Sequence, residues 1–229
     1  MPELHDEVFE RYVRPAMASW RVFHFRDTNI ESAVRQAQRV SENLRLKADA
    51  SNIAPFLRLL RERHSDRYRR IVQAVRLVAP FFGDFVYRKD DVERVELEWL
   101  EAHDPDTPWG VRQLSDGTLR FICLATLLLQ PPTLQPDMIL IDEPELGLHP
   151  SALGVLAALF RQASDERQLI VATQSADLVS ELEPENIVVV SRQDEASTFE
   201  RLDADKLHHW LEDYTLGELW KANVVGGRP

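Results

Sequence analysis

The stretch Met138-Ile-Leu-Ile-Asp-Glu-Pro-Glu-Leu-Gly-Leu-His-Pro150 decides the fold predicted for this chain. Its first four residues are apolar, and a short apolar run of this kind is typical of a central strand in a parallel sheet. The strand then delivers two carboxylates, Asp142 and Glu143, at the edge where open α/β sheets bind their ligands. Such a pair suits nucleotide chemistry, with Asp142 holding Mg²⁺ and Glu143 polarising the attacking water. A solvent-exposed acidic turn is the alternative interpretation.

The pattern around this strand alternates between helices and strands joined by short loops. From residue 108 onward it predicts helices over 115–129, 151–162 and 176–182, and strands over 138–142, 169–173 and 187–191. Such alternation indicates an α/β layer with a parallel sheet. Leu207, Trp210, Leu211 and Leu216 predict one or two closing helices in the tail.

The first hundred residues carry a different mixture of elements. A helix is predicted over 6–18, a strand over 20–26, a helix over 66–78, and a strand pair over 85–88 and 92–100. Asp49-Ala-Ser-Asn52 is typical of a helix start, with Ser51 or Asn52 as the cap. Apolar residues recur behind it at helical spacing and predict a buried face: Ile53, Phe56, Leu57 and Leu60.

A second motif, Leu114-Ser-Asp-Gly-Thr118, opens the predicted helix over 115–129. Ser115 and Asp116 can cap that helix, while Gly117 lets the backbone approach a ligand closely. Free N–H groups and the positive end of the helix dipole make such a terminus an anion site. An ordinary capped helix is the alternative for this motif taken alone.

Taken together, these segments resemble an ABC-type ATPase of the AAA family, of the SMC/RecF/OLD-like kind. Leu114-Ser-Asp-Gly-Thr118 is similar to the ABC signature. Ile139-Leu-Ile-Asp-Glu-Pro-Glu-Leu-Gly-Leu-His-Pro150 is similar to a Walker B strand, Ile139–Pro144, that runs into a D-loop. Val171-Ala-Thr-Gln-Ser175 falls where the family has its switch strand. The resemblance is strong over 113–192 and implies an ABC-type P-loop NTPase sheet with flanking helices and a helical insert near the N-terminus.

The resemblance also implies roles for individual residues. Glu143 and Gln174 would be catalytic, although Gln174 replaces a histidine and cannot take a proton. Asp142 would serve Mg²⁺. A nucleotide on an opposing subunit would be contacted by Ser115, Asp116 and Gly117. The D-loop residues at the dimer seam would be Gly147, Leu148 and His149.

The sequence departs from the family in one respect that bears on activity. The 229 residues contain no G-x-x-x-x-G-K-[ST] pattern, whose amides and Lys cradle phosphates. None of the four lysines follows a glycine, and no glycine occurs before Gly83. We therefore expect the N-terminal part of the family's sheet to be missing. The expected division is a helix and strand segment over 1–107 and an ATPase lobe over 108–229, forming one structural unit.

Composition excludes several classes of protein. The net charge of −11 argues against a surface that coats DNA, although arginines crowd the stretch 58–76. Those arginines either solvate helix faces or make a local nucleic-acid or partner contact. The single cysteine, Cys123, excludes an intrachain disulfide. No apolar run reaches the ~20 residues of a membrane span, so we expect a cytoplasmic protein.

Three functional interpretations remain open. In the first, the chain binds and hydrolyses ATP with Mg²⁺ in a dimeric complex, where a missing N-terminal part or a P-loop-bearing partner chain supplies the P-loop. DNA contact would then come through the complex, in repair or phage defence, and this chain alone would be inactive. In the second, it is a non-catalytic scaffold or regulator that presents the signature helix to a partner ATPase. In the third it is a nuclease, for which one carboxylate pair is too few.

Overall fold

The computed structural model describes residues 8–88, 90 and 92–227. The chain separates into two compact units, Met1–Ala172 and Thr173–Pro229. The boundary predicted after residue 107 stays a prediction. None of the helices in the described ranges combines the length and apolar character that a bilayer crossing needs.

The first unit contains eight described strands and five described α-helices. The strands are β1 Arg21–Phe23, β2 Gln38–Arg39, β3 Phe82–Val86, β4 Arg94–Val95, β5 Glu98–Glu101, β6 Trp109–Gly110, β7 Met138–Asp142 and β8 Gln168–Ala172. The helices are α1 Arg14–Ser19, α2 Ile53–Arg63, α3 Ser65–Val78, α4 Asp116–Leu129 and α5 Ser151–Ser164. A π-helical turn, Phe9–Val13, precedes α1.

The predicted parallel sheet is present, with β7 at its centre. β1 and β8 flank β7 and both run parallel to it. Ile139 lies between Arg21 and Leu169, and Ile141 is buried beside Phe23. α4 is buried over most of its length and packs on α3 and α5. The α/β class and the central role of β7 are therefore confirmed.

The helix predicted after Asp49-Ala-Ser-Asn52 is α2, and its apolar face is fully buried as expected. Its cap differs from the prediction. Asn52 occupies the N-cap position, but its side chain makes no capping bond. Its amide nitrogen instead donates to the carbonyl oxygens of Glu42 and Arg45, and its Oδ1 accepts from the backbone of Lys47. Asn52 thus ties the preceding loop to the helix start.

The predicted strand pair over 85–88 and 92–100 is rearranged in the structure. β3 pairs antiparallel with β5, while β4 pairs with β2. Val95, Leu97 and Trp99 are buried as their alternation predicts. The segment is divided because its first part and its last part bind different partner strands.

Most of the arginines between residues 58 and 76 are engaged inside the first unit. Arg67 forms a two-bond salt bridge with Glu166, and this interaction lowers the pKa of Glu166. Arg61 donates to the Phe85 carbonyl and lies over two tyrosine rings. Further contacts join Arg58 to Glu62, Arg69 to Asp66 and Arg76 to the Gly83 carbonyl. These contacts show that most of these arginines stabilise the first unit itself, and they argue against a nucleic-acid contact at this cluster.

The second unit contains a strand pair and three short helices. Its elements are α6 Ala176–Val179, β9 Val188–Gln193, β10 Ala196–Arg201, α7 Ala204–Leu211 and α8 Leu216–Lys221. Leu207, Leu216 and Leu219 form its core cluster. The closing helices are confirmed. The strand predicted over 187–191 is also present, but it pairs antiparallel with β10, which the sequence pattern did not predict.

Candidate functional site

Asp142 and Glu143 stand at the carboxyl end of the central strand, as predicted. Asp142 is the last residue of β7, and the Glu143 amide donates to the Ala172 carbonyl at 2.8 Å, which extends the ladder toward β8. Glu143 has a φ of 45°, a left-handed conformation that is uncommon for a residue with a side chain. Such conformations persist where surrounding contacts impose them, and they concentrate at functional sites.

One arginine contacts both carboxylates. Arg26 Nη2 lies 2.5 Å from Asp142 Oδ2 and 3.1 Å from Glu143 Oε2. Arg26 follows β1 closely, and the carboxyl ends of parallel neighbouring strands meet at one edge of the sheet. Arg26 was not singled out from the sequence, although its place as the last residue of the strand predicted over 20–26 was a usable signal. The space beside the three side chains is about 10 Å³, barely enough for one water molecule.

The signature segment forms the start of α4. Ser115 is the N-cap, and its Oγ accepts from the Thr118 amide at 3.1 Å. Asp116 Oδ1 accepts from Arg35 Nη2 at 2.7 Å. The predicted capping by Ser115 is therefore confirmed, whereas Asp116 is committed to a salt bridge.

Arg35 holds the loop that leads into this helix, and only 3% of its surface is exposed. Besides Asp116, its guanidinium donates to the carbonyl oxygens of Thr28, Val111 and Leu114 at 2.5 to 3.1 Å. A buried charge is tolerated when it is paired and hydrogen-bonded in this way. Arg35 therefore fixes the path of the chain just before Ser115.

Arg120 links three segments around the carboxylates. It donates to the carbonyl oxygens of Phe25 at 2.7 Å and Arg26 at 2.8 Å, and also to that of Leu146. Partial burial lowers the pKa of its guanidinium, while Asp116 acts in the opposite direction. Arg120 thus connects α4 with the segment after β1 and the segment after β7.

The predicted D-loop lies directly against the signature segment. Gly147 has a φ of 72°, and a Cβ atom added to Gly117 would lie 2.3 Å from the Gly147 carbonyl oxygen. His149 is exposed, and its Nδ1 accepts from the Ser151 amide at 3.2 Å at the start of α5. Leu148 is half-buried. The structure therefore brings together, within one chain, the segment predicted to contact an opposing subunit's nucleotide and the segment predicted to lie at the dimer seam.

Gln174 belongs to the second unit. It is exposed, in the loop that leads to α6. The neighbouring Ser175 caps α6 by accepting from the Leu178 amide. The assignment of Gln174 to the family's switch position stays a prediction.

A protein-family model described as "AAA domain, putative AbiEii toxin, Type IV TA system" matches residues 13–180. The match covers well over half of the chain. The chain belongs to this AAA family. Members of such ATPase families generally use a nucleotide and Mg²⁺.

Solved structures support the fold. An Smc head bound to the C-winged helix domain of ScpA matches with a TM-score of 0.52 and 19% identity, over 72% of this chain and 49% of that one. The Smc head from Pyrococcus furiosus, bound to the C-terminal domain of ScpA, matches with a TM-score of 0.51 and 19% identity, over 69% of this chain and 39% of that one. A third structure, the Smc head with a coiled coil and joint from Pyrococcus yayanosii, matches with a TM-score of 0.50 and 20% identity, over 72% of this chain and 31% of that one.

This chain therefore spans half or less of the length of these three Smc heads. At such identities the likeness concerns the fold alone. A search of curated proteins found no match.

Proposed function

We propose that the chain contributes the signature, Walker B and D-loop part of a composite ATP site, completed by a P-loop from another polypeptide segment or chain. The observation that carries the proposal is the backbone contact between Gly117 and Gly147 beside the Asp142–Glu143 edge. A signature loop and a D-loop in contact are the two surfaces that an opposing ATPase subunit would meet.

Each segment has a distinct task in this proposal. The Ser115 hydroxyl and the first amides of α4 bind the γ-phosphate of a nucleotide held on the opposing subunit, because a helix N-terminus attracts anions. Glu143 orients the attacking water and accepts its proton at a carboxylate oxygen. The D-loop residues Gly147, Leu148 and His149 lie at the seam. Gln174 hydrogen-bonds the γ-phosphate without taking a proton.

The carboxylates fit Mg²⁺ in their chemistry. Asp142 Oδ2 and Glu143 Oε2 are hard oxygen donors, and both side chains are partly exposed, so water can complete a shell. Asp142 would hold the ion, which would neutralise phosphate charge when bound. Arg26 occupies these oxygens in the described structure, and its guanidinium has to move away before an ion binds there.

The P-loop of this proposal comes from a further polypeptide segment or from a partner chain, because no phosphate-binding loop occurs in the 229 residues given. The four lysines, Lys47, Lys89, Lys206 and Lys221, follow Leu, Arg, Asp and Trp in that order, so none completes the motif. We propose a P-loop-bearing ATPase half or a homologous subunit as the partner, with DNA contacted only through that complex. Repair, chromosome maintenance and phage defence are the processes in which such ATPases act.

A non-catalytic scaffold is the second candidate. The contact of Arg26 with both carboxylates favours it, because the guanidinium occupies an oxygen of each of the two groups that hydrolysis needs. In this alternative the chain presents Ser115 and the start of α4 to a complete ATPase and hydrolyses nothing itself.

The test is a reconstitution in two steps. The tagged full chain is purified from its native cells, and co-purifying proteins are searched for a G-x-x-x-x-G-K-[ST] sequence. The complex with Glu143→Gln should still bind ATP but hydrolyse it roughly 10²–10⁴-fold more slowly. Glu185→Gln, which removes an exposed carboxylate from the second unit, is the matched control and should leave the rate unchanged. Normal hydrolysis by Glu143→Gln would favour the scaffold.

A further inference from the structure

A separate groove of about 270 Å³ lies in the first unit, between the β2–β4 ribbon and the loop before α2. None of the residues that line it belongs to the carboxylate site. Its charged and polar walls are formed by Arg39, Lys47, Arg94, Glu42, Gln36 and Ser51. The groove therefore has three cations against one carboxylate, in a chain whose net charge is −11.

Two of these cations oppose each other directly. Arg39 and Arg94 are register partners in the antiparallel pair of β2 and β4, and both are exposed. Side chains that are directly opposite stand on the same face, so like charges in such a pair destabilise the ribbon. A two-residue ribbon has little pairing of its own to offset this repulsion. An anion between the guanidinium groups would remove the cost.

The hydrogen bonds of the groove leave donors available. Arg94 Nη2 donates to the Ala37 carbonyl, which holds its guanidinium at the groove. The Arg39 guanidinium makes no hydrogen bond or salt bridge within the described residues, in contrast to the paired arginines of α2 and α3. Lys47 pairs with Glu42, and this contact, followed by the fields of Arg39 and Arg94, lowers the pKa of Glu42. The charge of Glu42, the one carboxylate that lines the groove, is thus already balanced by Lys47.

The wall of the groove contains an unsatisfied polar atom. Gln38 is buried, and its amide nitrogen donates to the Ala33 carbonyl at 3.0 Å and to the Gln36 carbonyl. This arrangement fixes the orientation of the amide. Its Oε1 is buried without a hydrogen-bond donor among the described residues. The groove is therefore polar in its wall as well as at its rim, which is unlike a gap between apolar side chains.

We infer that this groove binds the phosphate group of a small phosphorylated ligand, with Arg39 and Arg94 as the two clamping residues. Planar guanidinium forks suit phosphate oxygens, and two forks facing each other can each give two hydrogen bonds. The groove is slightly below the usual range of roughly 300–1,000 Å³ for drug-sized ligands, so a phosphate or a diphosphate suits it better than a large molecule. The overall negative charge disfavours a nucleic-acid backbone as the source of the phosphate.

The probe is inorganic pyrophosphate, added to the full chain without Mg²⁺ and followed by amide chemical shifts and calorimetry. The expected shifts lie in residues 36–42, 47–51 and 94–95. Arg39→Gln should weaken binding roughly tenfold, the usual effect of losing a charge-assisted hydrogen bond. Arg63→Gln, which removes an exposed arginine of α2 outside the groove, should leave affinity unchanged.

A second variant separates binding from folding. Arg39→Glu should raise the melting temperature of the free chain, because a cross-strand ion pair with Arg94 replaces the repulsion, and it should abolish pyrophosphate binding. Shifts confined to residues 115–118, equal affinities of the Arg39→Gln and Arg63→Gln variants, or binding of a single-stranded oligonucleotide without binding of pyrophosphate would each overturn the proposal.

Discussion

The carbonyl oxygen of Gly147 lies 2.3 Å from the position that a Cβ atom would occupy on Gly117. The predicted signature loop and the predicted D-loop therefore touch backbone to backbone, with no side chain between them. Arg120 reinforces the contact, since it donates to the Leu146 carbonyl from the same helix that carries Gly117. We therefore expect a substitution that displaces one of these two segments to disturb the other.

Gly117→Ala should destabilise the chain by about 1–3 kcal/mol, the usual cost of inserting an extra methyl group into a tight contact. The added methyl meets backbone, which cannot rotate away as a side chain can. Thermal and denaturant unfolding measure the effect. Gly110→Ala is the matched control, because its nearest neighbour is the flexible Gln113 side chain at 3.4 Å. Equal stabilities of the two variants would contradict the close approach.

Arg26→Gln should tighten the binding of a divalent cation at the carboxylates. The guanidinium competes with the cation for Asp142 Oδ2 and Glu143 Oε2. These side chains are partly exposed, and exposed ion pairs contribute ~0.2–1 kcal/mol, so an improvement of about 1.4- to fivefold is expected. Mn²⁺ titration followed by electron paramagnetic resonance provides the measurement. Arg21→Gln, which removes an exposed arginine from β1, should leave Mn²⁺ affinity as it was.

The central strand could be predicted from the sequence, because a run of four apolar residues followed by two carboxylates is typical of a buried parallel strand. The helix start at Ser115 was equally predictable, since the cap depends on local residues. The pairing of β4 with β2 was not, because a two-residue ribbon has no periodicity and its partners are more than fifty residues apart. The sequence pattern did not predict β10 for a related reason, since all its described side chains are exposed and show no apolar alternation.

About half of the candidate site could be predicted from the sequence. Asp142, Glu143 and Gly117 follow from motifs, but the arginines that connect them do not. Arg35 is buried, and arginine is among the residues least often found buried, so composition argues for a surface position. Its partners are carbonyl oxygens up to 79 residues away. Every residue has a backbone carbonyl, so residue type does not indicate which carbonyl will accept a hydrogen bond. Arg26 was detectable only through its place at the carboxyl end of the strand predicted over 20–26.

Ser115→Asp should block ATP-driven association of a reconstituted complex. Aspartate caps a helix as well as serine does, so the start of α4 should survive, whereas the added charge repels a γ-phosphate. Ser115→Asn is the matched control, since it keeps the cap and adds no charge. Size-exclusion chromatography with light scattering, with and without ATP, distinguishes the two variants. Normal association of the Ser115→Asp complex would remove Ser115 from the proposed nucleotide contact.

The final prediction concerns the unpaired edge of the sheet. β8 pairs with β7 on one side and with no other strand in the described residues, and Gln168, Ile170 and Ala172 along it are exposed. In the second unit, β9 pairs with β10 and with no further strand among the residues that the structure describes. The resemblance to ABC-type ATPases implies a P-loop strand beside the switch strand, so we expect the proposed partner to cover this edge of β8.

Without that partner the purified chain should self-associate, because exposed apolar strand edges recruit further strands. Ile170→Lys should reduce self-association, since a charge on an edge strand opposes pairing with a second chain. Leu77→Lys is the control, because it places the same charge at a more exposed leucine on α3, away from any strand. Light scattering against concentration provides the measurement. A wild-type chain that stays monomeric and melts cooperatively would show that this edge needs no partner, and would favour the scaffold over a composite ATPase.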